Sequence, residues 1–227
     1  MGKFADCANC QISLFERACF IEGGKGDKSC PTLREKELIE KIRQIYQEPE
    51  IKEFARLASV QEGEGYLERE RKPYLPHPGK PRIQEIVEFA RKMGYKKLGL
   101  AFCIGLQKEA ELFARFLRAQ GFEVVSVICK FGRIEKEELG VKDEEKILIG
   151  TRETACNPIG QALYLNQAKT DFNLALGLCV GHDSLFFKYS QAPVSVVAVK
   201  DRLCGHNPLA PLYTLTSYYM YLLRPGF

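Results

Sequence analysis

No apolar run in this 227-residue chain approaches the roughly 20 residues that a membrane-spanning helix requires. The opening MGKFADCANC lacks the apolar core of a secretory leader, so the expected compartment is the cytoplasm. Basic residues number 33 against 29 acidic ones, with no block of Lys and Arg, which leaves no electrostatic footprint for nucleic acid. Neither G-x-x-x-x-G-K-[ST] nor G-x-G-x-x-G follows a strand-like segment, so nothing points to a nucleotide cofactor. What the chain does have is cysteine, nine in all. An odd count, no export signal and a length that folds without staples argue for metal ligation or redox chemistry over disulfides. The composition, 45% hydrophobic and 27% charged, is that of a globular protein with room for one α/β core and a small accessory module.

Four of the cysteines fall early, as Cys7-x2-Cys10-x8-Cys19-x10-Cys30. Four thiolates in so short a stretch can complete a tetrahedral zinc site or carry an iron–sulfur cluster. A zinc ribbon usually pairs two Cys-x2-Cys knuckles. Here only Cys7 and Cys10 form one, and Pro31 directly follows the last cysteine. That spacing tilts the choice toward a 4Fe–4S cluster on Cys7, Cys10, Cys19 and Cys30, with zinc as the alternative at the same residues.

Residues 1–31 form this Cys-rich module, and residues 32–82 read as a helical segment and linker. Thr32 and Glu35 have capping-box spacing. LREKELIEKIRQIYQ and EIKEFARLASVQ are amphipathic on either side of Pro49, and the Pro-rich ERERKPYLPHPGKPR reads as a surface strap with His77 in a loop. From 83 to 227 helices alternate with short apolar strands at 96–103, 122–129, 146–150, 173–181 and 193–201. A closing aromatic helix over LYTLTSYYMYLL suits a core or a homodimer contact. The expected fold class is α/β: a mainly parallel, Rossmann-like sheet built from two related halves, preceded by the Cys-rich module and helical segment.

The two halves are visible as a repeat. LGLAFCIG (98–105) matches LALGLCVG (174–181), EVVSVICK (123–130) matches VSVVAVKD (194–201), and Cys156-Asn157-Pro158 is echoed by His206-Asn207-Pro208. Cys103 and Cys179 should then lie at the C-terminal ends of parallel strands, where ligands bind in open α/β sheets. Cys156 and His206 should each precede a helix N-terminus, with Asn as the N-cap. The pattern supplies Cys103 with Cys156, and Cys179 with His206 or Cys204, to one crevice as cofactor ligands. The plainer alternative makes Cys103 and Cys179 small buried hydrophobes, and for Cys129, inside VVSVICK, packing is the preferred reading. His182 is the acid–base candidate, with Asp183 either orienting it or capping the next helix. Cys156 has a second role open to it, as a thiolate nucleophile at a helix N-terminus, although nothing beside it in sequence provides a base. Lys130, Lys188 and Lys200 either face an anionic substrate or are solvated.

The segments CANC…C…CP, LAFCIG, ACNPIGQA, GLCVGHDSLF, APVSVVAVKDR and GHNPLAPLY together resemble a family of prokaryotic proteins of unknown function labelled only as metal-binding. The resemblance spans essentially the whole chain. It implies metal binding through the cysteines and supplies no reaction. Two functions are in competition: an iron–sulfur protein doing redox or Lewis-acid chemistry on a small molecule, with an electron-transfer partner, and a zinc-stabilised binding or regulatory protein without catalysis.

Overall fold

A computed structural model describes residues 4–226 and divides the chain into two units, Met1–Glu64 and Gly65–Phe227. The opening residues 1–3 of the Cys-rich module lie outside the described residues. The first unit starts with two 3-10 turns, Cys7–Asn9 and Leu14–Glu16, followed by helices α1 (Pro31–Arg34), α2 (Lys36–Ile45) and α3 (Pro49–Glu64). Pro31 and Pro49 each open a helix, at the position where a missing N–H costs nothing. Because Pro31 fixes the start, Cys30 stands at the cap and Thr32 lies inside the helix. No side chain caps it, and Glu35 leaves helical geometry (φ −93°, ψ 53°) before α2 begins, so the expected capping box does not form. Among the described residues of this unit only Leu57 and Gln61 are buried.

The second unit opens with the strap, which is folded back on itself by hydrogen bonds from Leu67 N to His77 O (2.8 Å) and from Gly79 N to Gly65 O (2.9 Å). The strap therefore counts with the second unit, and the division between the two units falls at 64/65. Helix α4 (Arg82–Lys92) is followed by β1 (Lys97–Phe102), α5 (Gln107–Ala119), β2 (Glu123–Ile128), α6 (Pro158–Gln167), β3 (Phe172–Leu176), α7 (His182–Tyr189) and β4 (Val194–Ala198). All strand pairs are parallel, in the order β2-β1-β3-β4. Each half is a strand–helix–strand unit whose first strand is central and whose second is an edge. The chain turns in opposite directions from β1 and β3, so the switch point lies between them.

The two faces of the sheet differ in bulk. Leu98, Leu100, Phe102, Phe172, Leu174 and Leu176 meet the apolar stripes of α4 (Ile86, Val87, Ala90) and α5 (Ala110, Phe113, Ala114, Leu117). The stripes follow the 3.6-residue period and the strands the period of two. The opposite face carries small residues, Ala101 and Ala175, against Ala162, Leu165 and Phe186 of α6 and α7. Gly99 belongs to it too, because a Cβ there would lie 2.1 Å from Asn173 Oδ1 and 2.8 Å from Leu165 Cδ1. This face lets α6 sit close to the strands. At the edges, Arg82 Nε donates to Val196 O of β4 (2.6 Å) and Arg118 Nη2 donates to Val124 O of β2 (3.4 Å).

Two expected elements do not form. The run 146–150 is no strand: Ile147, Leu148 and Ile149 are exposed in turns, anchored by Lys146 on Glu137 and Asp143. The closing helix is reduced to α8 (Ala210–Tyr213) and a 3-10 turn, Met220–Leu223. Between them Thr214 Oγ1 and Ser217 Oγ donate to the backbone carbonyls of Ala210 and Thr214, competing with helix continuation. No helix among the described residues is long and apolar enough to cross a membrane.

Candidate functional site

The close seat of α6 brings its N-terminus over the ends of β1 and β2. Asn157 caps the helix, accepting from Gly160 N at 2.8 Å, as its place before Pro158 suggests. Its own N–H donates to Cys129 O (2.7 Å), which fixes Cys156 beside the end of β2. Cys129 N donates in turn to Phe102 O (2.9 Å), and Cys103 N to Leu176 O (3.1 Å), so each strand end locks its neighbour. After β3 the chain turns through Gly177 and Gly181, at φ +65° and +82°, conformations that glycine adopts without a Cβ penalty. That turn presents Cys179 and places His182 at the start of α7. One crevice at the C-terminal edge of the sheet is thus lined by Cys103, Cys129, Cys156, Gln161, Leu178, Cys179 and His182. Its walls touch, leaving no room for a water molecule between them.

The thiols form a chain. Cys129 lines the crevice with Cys103 and Cys156, and its Sγ accepts from Ile104 N at 3.3 Å. Holding the shared proton in the middle pushes the Cys129 thiol well up, reinforced by burial. The outer two are lowered. Cys103 falls to about 5 because Cys129 donates to it, helped by Gly105 N and Lys200. Cys156 is lowered to about 4 by the neighbouring Cys129 thiol and then by His182, with the Lys130 ammonium 3.8 Å away. His182 is raised by the same contact with the Cys156 sulfur. The two lowered thiols each have a cation beside them, Lys200 at Cys103 and Lys130 at Cys156. Cys179 accepts from Arg202 Nη2 at 3.1 Å. Gln161 is fully buried and donates Nε2 to Phe102 O (3.2 Å) and Val127 O (2.8 Å). Its Oε1 and the Nδ1 of His182 are buried without hydrogen-bond partners.

Cys103, Cys156, Cys179 and His182 thus line one crevice. Cys204 and His206 do not line the crevice. Cys204 Sγ lies 4.0 Å from Tyr219 Oη, and His206 sits at φ +65° with Nδ1 accepting from Asp201 N at 3.2 Å. The second copy of the Asn-Pro motif fails as a cap because α8 starts later, at Ala210, and has Leu209 at its cap. Asp183 neither caps α7, where Gly181 holds that position, nor hydrogen-bonds His182; its Oδ1 accepts from Ser184 N at 2.8 Å. Cys129 is buried, as the packing reading expects, and also lines the crevice. β2 ends at Ile128, one residue before it, so its sulfur belongs to the sheet edge. Gln161 was hidden in sequence by its place in an ordinary helix.

In the first unit, Cys7, Cys10, Cys19 and Cys30 line one cavity of about 60 Å³. Arg17 shapes the loop by donating Nε to Ile12 O (2.8 Å) and Nη2 to Cys10 O (3.2 Å). A side chain at Gly26 would strike Cys30, its Cβ lying 2.7 Å from Sγ, so glycine admits that thiol. Among the described residues no three His, Cys, Asp or Glu side chains stand in the arrangement of a metal's ligands.

A family model described as a protein of unknown function (DUF1847) matches residues 30–197. An uncharacterized protein of Methanocaldococcus jannaschii is 42% identical over 191 residues, covering 84% of this chain and 90% of its own length. The crystal structure of Dph2 from Pyrococcus horikoshii aligns with 44% of this chain and 22% of its own, at 19% identity and a TM-score of 0.28, and that likeness carries no argument about function.

Proposed function

The chain belongs to the DUF1847 family, and because that description names no reaction, we propose a function from the residues themselves: a metal-binding protein that holds an iron–sulfur cluster, 4Fe–4S in type, on Cys7, Cys10, Cys19 and Cys30, with the crevice as a redox site for a small molecule. The observation that carries the metal reading is the first unit's want of a core. No described residue before Leu57 is buried, yet four thiols line one cavity. A segment without apolar burial needs a cross-link to hold one conformation, and a bound metal supplies that folding energy. Irregular spacing and the Pro31 after Cys30 support iron–sulfur over zinc. The cytoplasm, where thiols stay reduced, is the compartment that suits this chemistry, and an electron-transfer protein is the partner it calls for.

Anaerobic purification of the full chain with iron and sulfide analysis is the test. About four iron and four sulfide per chain are expected, lost when the four N-terminal cysteines become Ser together. A colourless protein carrying zinc overturns the iron–sulfur reading, and a metal-free one overturns metal binding altogether.

A further inference from the structure

The crevice holds more sulfur than packing requires, and its thiols are graded in access. Cys156 is half-buried, at the capped N-terminus of a ten-residue helix, with His182 and Lys130 beside its sulfur. Cys129 is 2% exposed and lines the same crevice, its carbonyl held by the N–H of Asn157, the residue after Cys156, at 2.7 Å. Cys103, 6% exposed, lies on the far side of Cys129. Two further groups lining the crevice, Gln161 and His182, each keep a buried polar atom without a hydrogen-bond partner.

We propose that the crevice is a thiol–disulfide exchange site for low-molecular-weight disulfides, with Cys156 as the attacking thiol and Cys129 as the resolving one. This rests on the reading of the crevice as a redox site and is independent of the N-terminal cluster. The helix N-terminus, the Lys130 ammonium 3.8 Å away and His182 beside it favour Cys156 as the thiolate, the form that attacks. In the first step the Cys156 sulfur bonds to one sulfur of R–S–S–R, the S–S bond breaks, and R–S⁻ leaves. In the second, the Cys129 sulfur attacks Cys156 in the mixed disulfide. The Cys129 proton passes to the neighbouring Cys103 sulfur as Cys129 attacks, and from there to the departing sulfur as the Cys156–S–R bond breaks, giving R–SH. The two protein thiols are oxidised by two electrons to a Cys129–Cys156 disulfide, and the small disulfide is reduced to two thiols. Burial assigns the roles: a disulfide from solvent reaches Cys156 first, whereas Cys129 is reached only from within. The same stabilised thiolate makes Cys156 a good leaving group, so the site also runs in reverse, passing oxidation on to a dithiol.

The test uses the full chain, purified anaerobically and incubated with oxidised glutathione, then quenched in acid, alkylated and mapped by peptide mass. Wild type is expected to give a Cys129–Cys156 disulfide with Cys103 still reduced. Cys129→Ser should stop at a glutathione adduct on Cys156, and Cys156→Ser should lose both products, each variant keeping the wild-type circular dichroism. A map in which oxidation spares Cys156, or pairs Cys103 with Cys129, overturns the proposal without needing any variant. Metal that leaves when Cys129 and Cys156 are replaced also overturns it, and leaves the N-terminal reading standing if iron at Cys7, Cys10, Cys19 and Cys30 is unchanged.

Discussion

Gln161 ties the ends of two strands to one helix with a single amide, and its surroundings give it no substitute partner in water. Gln161→Leu keeps the volume and removes both donors. Phe102 O retains the Cys129 N–H and Val127 O its place in the ladder with β1, so the variant should be about 0.5–1.5 kcal/mol less stable. The shift is measured as a lower denaturant midpoint with an unchanged slope. At this scale the sequence is only half legible. Cys103 and Cys179 are found by their matching glycines, and Asn157 by the proline after it. Cys129 is concealed by the apolar run VVSVICK, because its role depends on a strand ending one residue earlier than the pattern suggests. The pairing of Cys156 with His182 is invisible along the chain, since only the packing of α6 on α7 brings them together.

Among the elements, the segment between β2 and α6 is held by charge. Lys136 pairs with Glu153, and Lys146 with Glu137 and with Asp143 at 3.0 Å. Hydrogen bonds from these lysines hold Glu137 and Glu153 below their ordinary 4.5 and Asp143 below 3.8. A carboxylate whose pKa is depressed on folding contributes stability above its unfolded value and loses it as pH falls through the folded one. The segment 135–153 should therefore loosen first on acidification below that range, while β1 and β3 stay protected. Hydrogen exchange at neutral and acid pH, compared peptide by peptide, checks this. The alternation of strands and helices is legible from periodicity. The same rule misreads 146–150 and the C-terminus, where lysine anchors and hydroxyl–backbone bonds prevail over apolar patterning.

For the molecule as a whole, the two units draw on different sources of order. The second has two apolar layers around a sheet, and the first has four thiols and almost no buried side chain. Removing metal with a chelator should cost residues 4–34 their hydrogen-exchange protection and leave the cooperative thermal transition of residues 65–226 in place. A single transition that moves as one with metal content would contradict it.

The sheet stops at four strands although both edges stand open, and the arginines explain how. Arg82 and Arg118 each occupy a carbonyl that a fifth strand would need, so the chain carries its own guard against strand addition from a second copy. Replacing both with Ala leaves every crevice thiol in place yet should turn a dispersed protein into one that self-associates with time and concentration, read by light scattering. Protection of the sheet edges is then the work of two side chains at the rims, separable from whatever the sulfur atoms do.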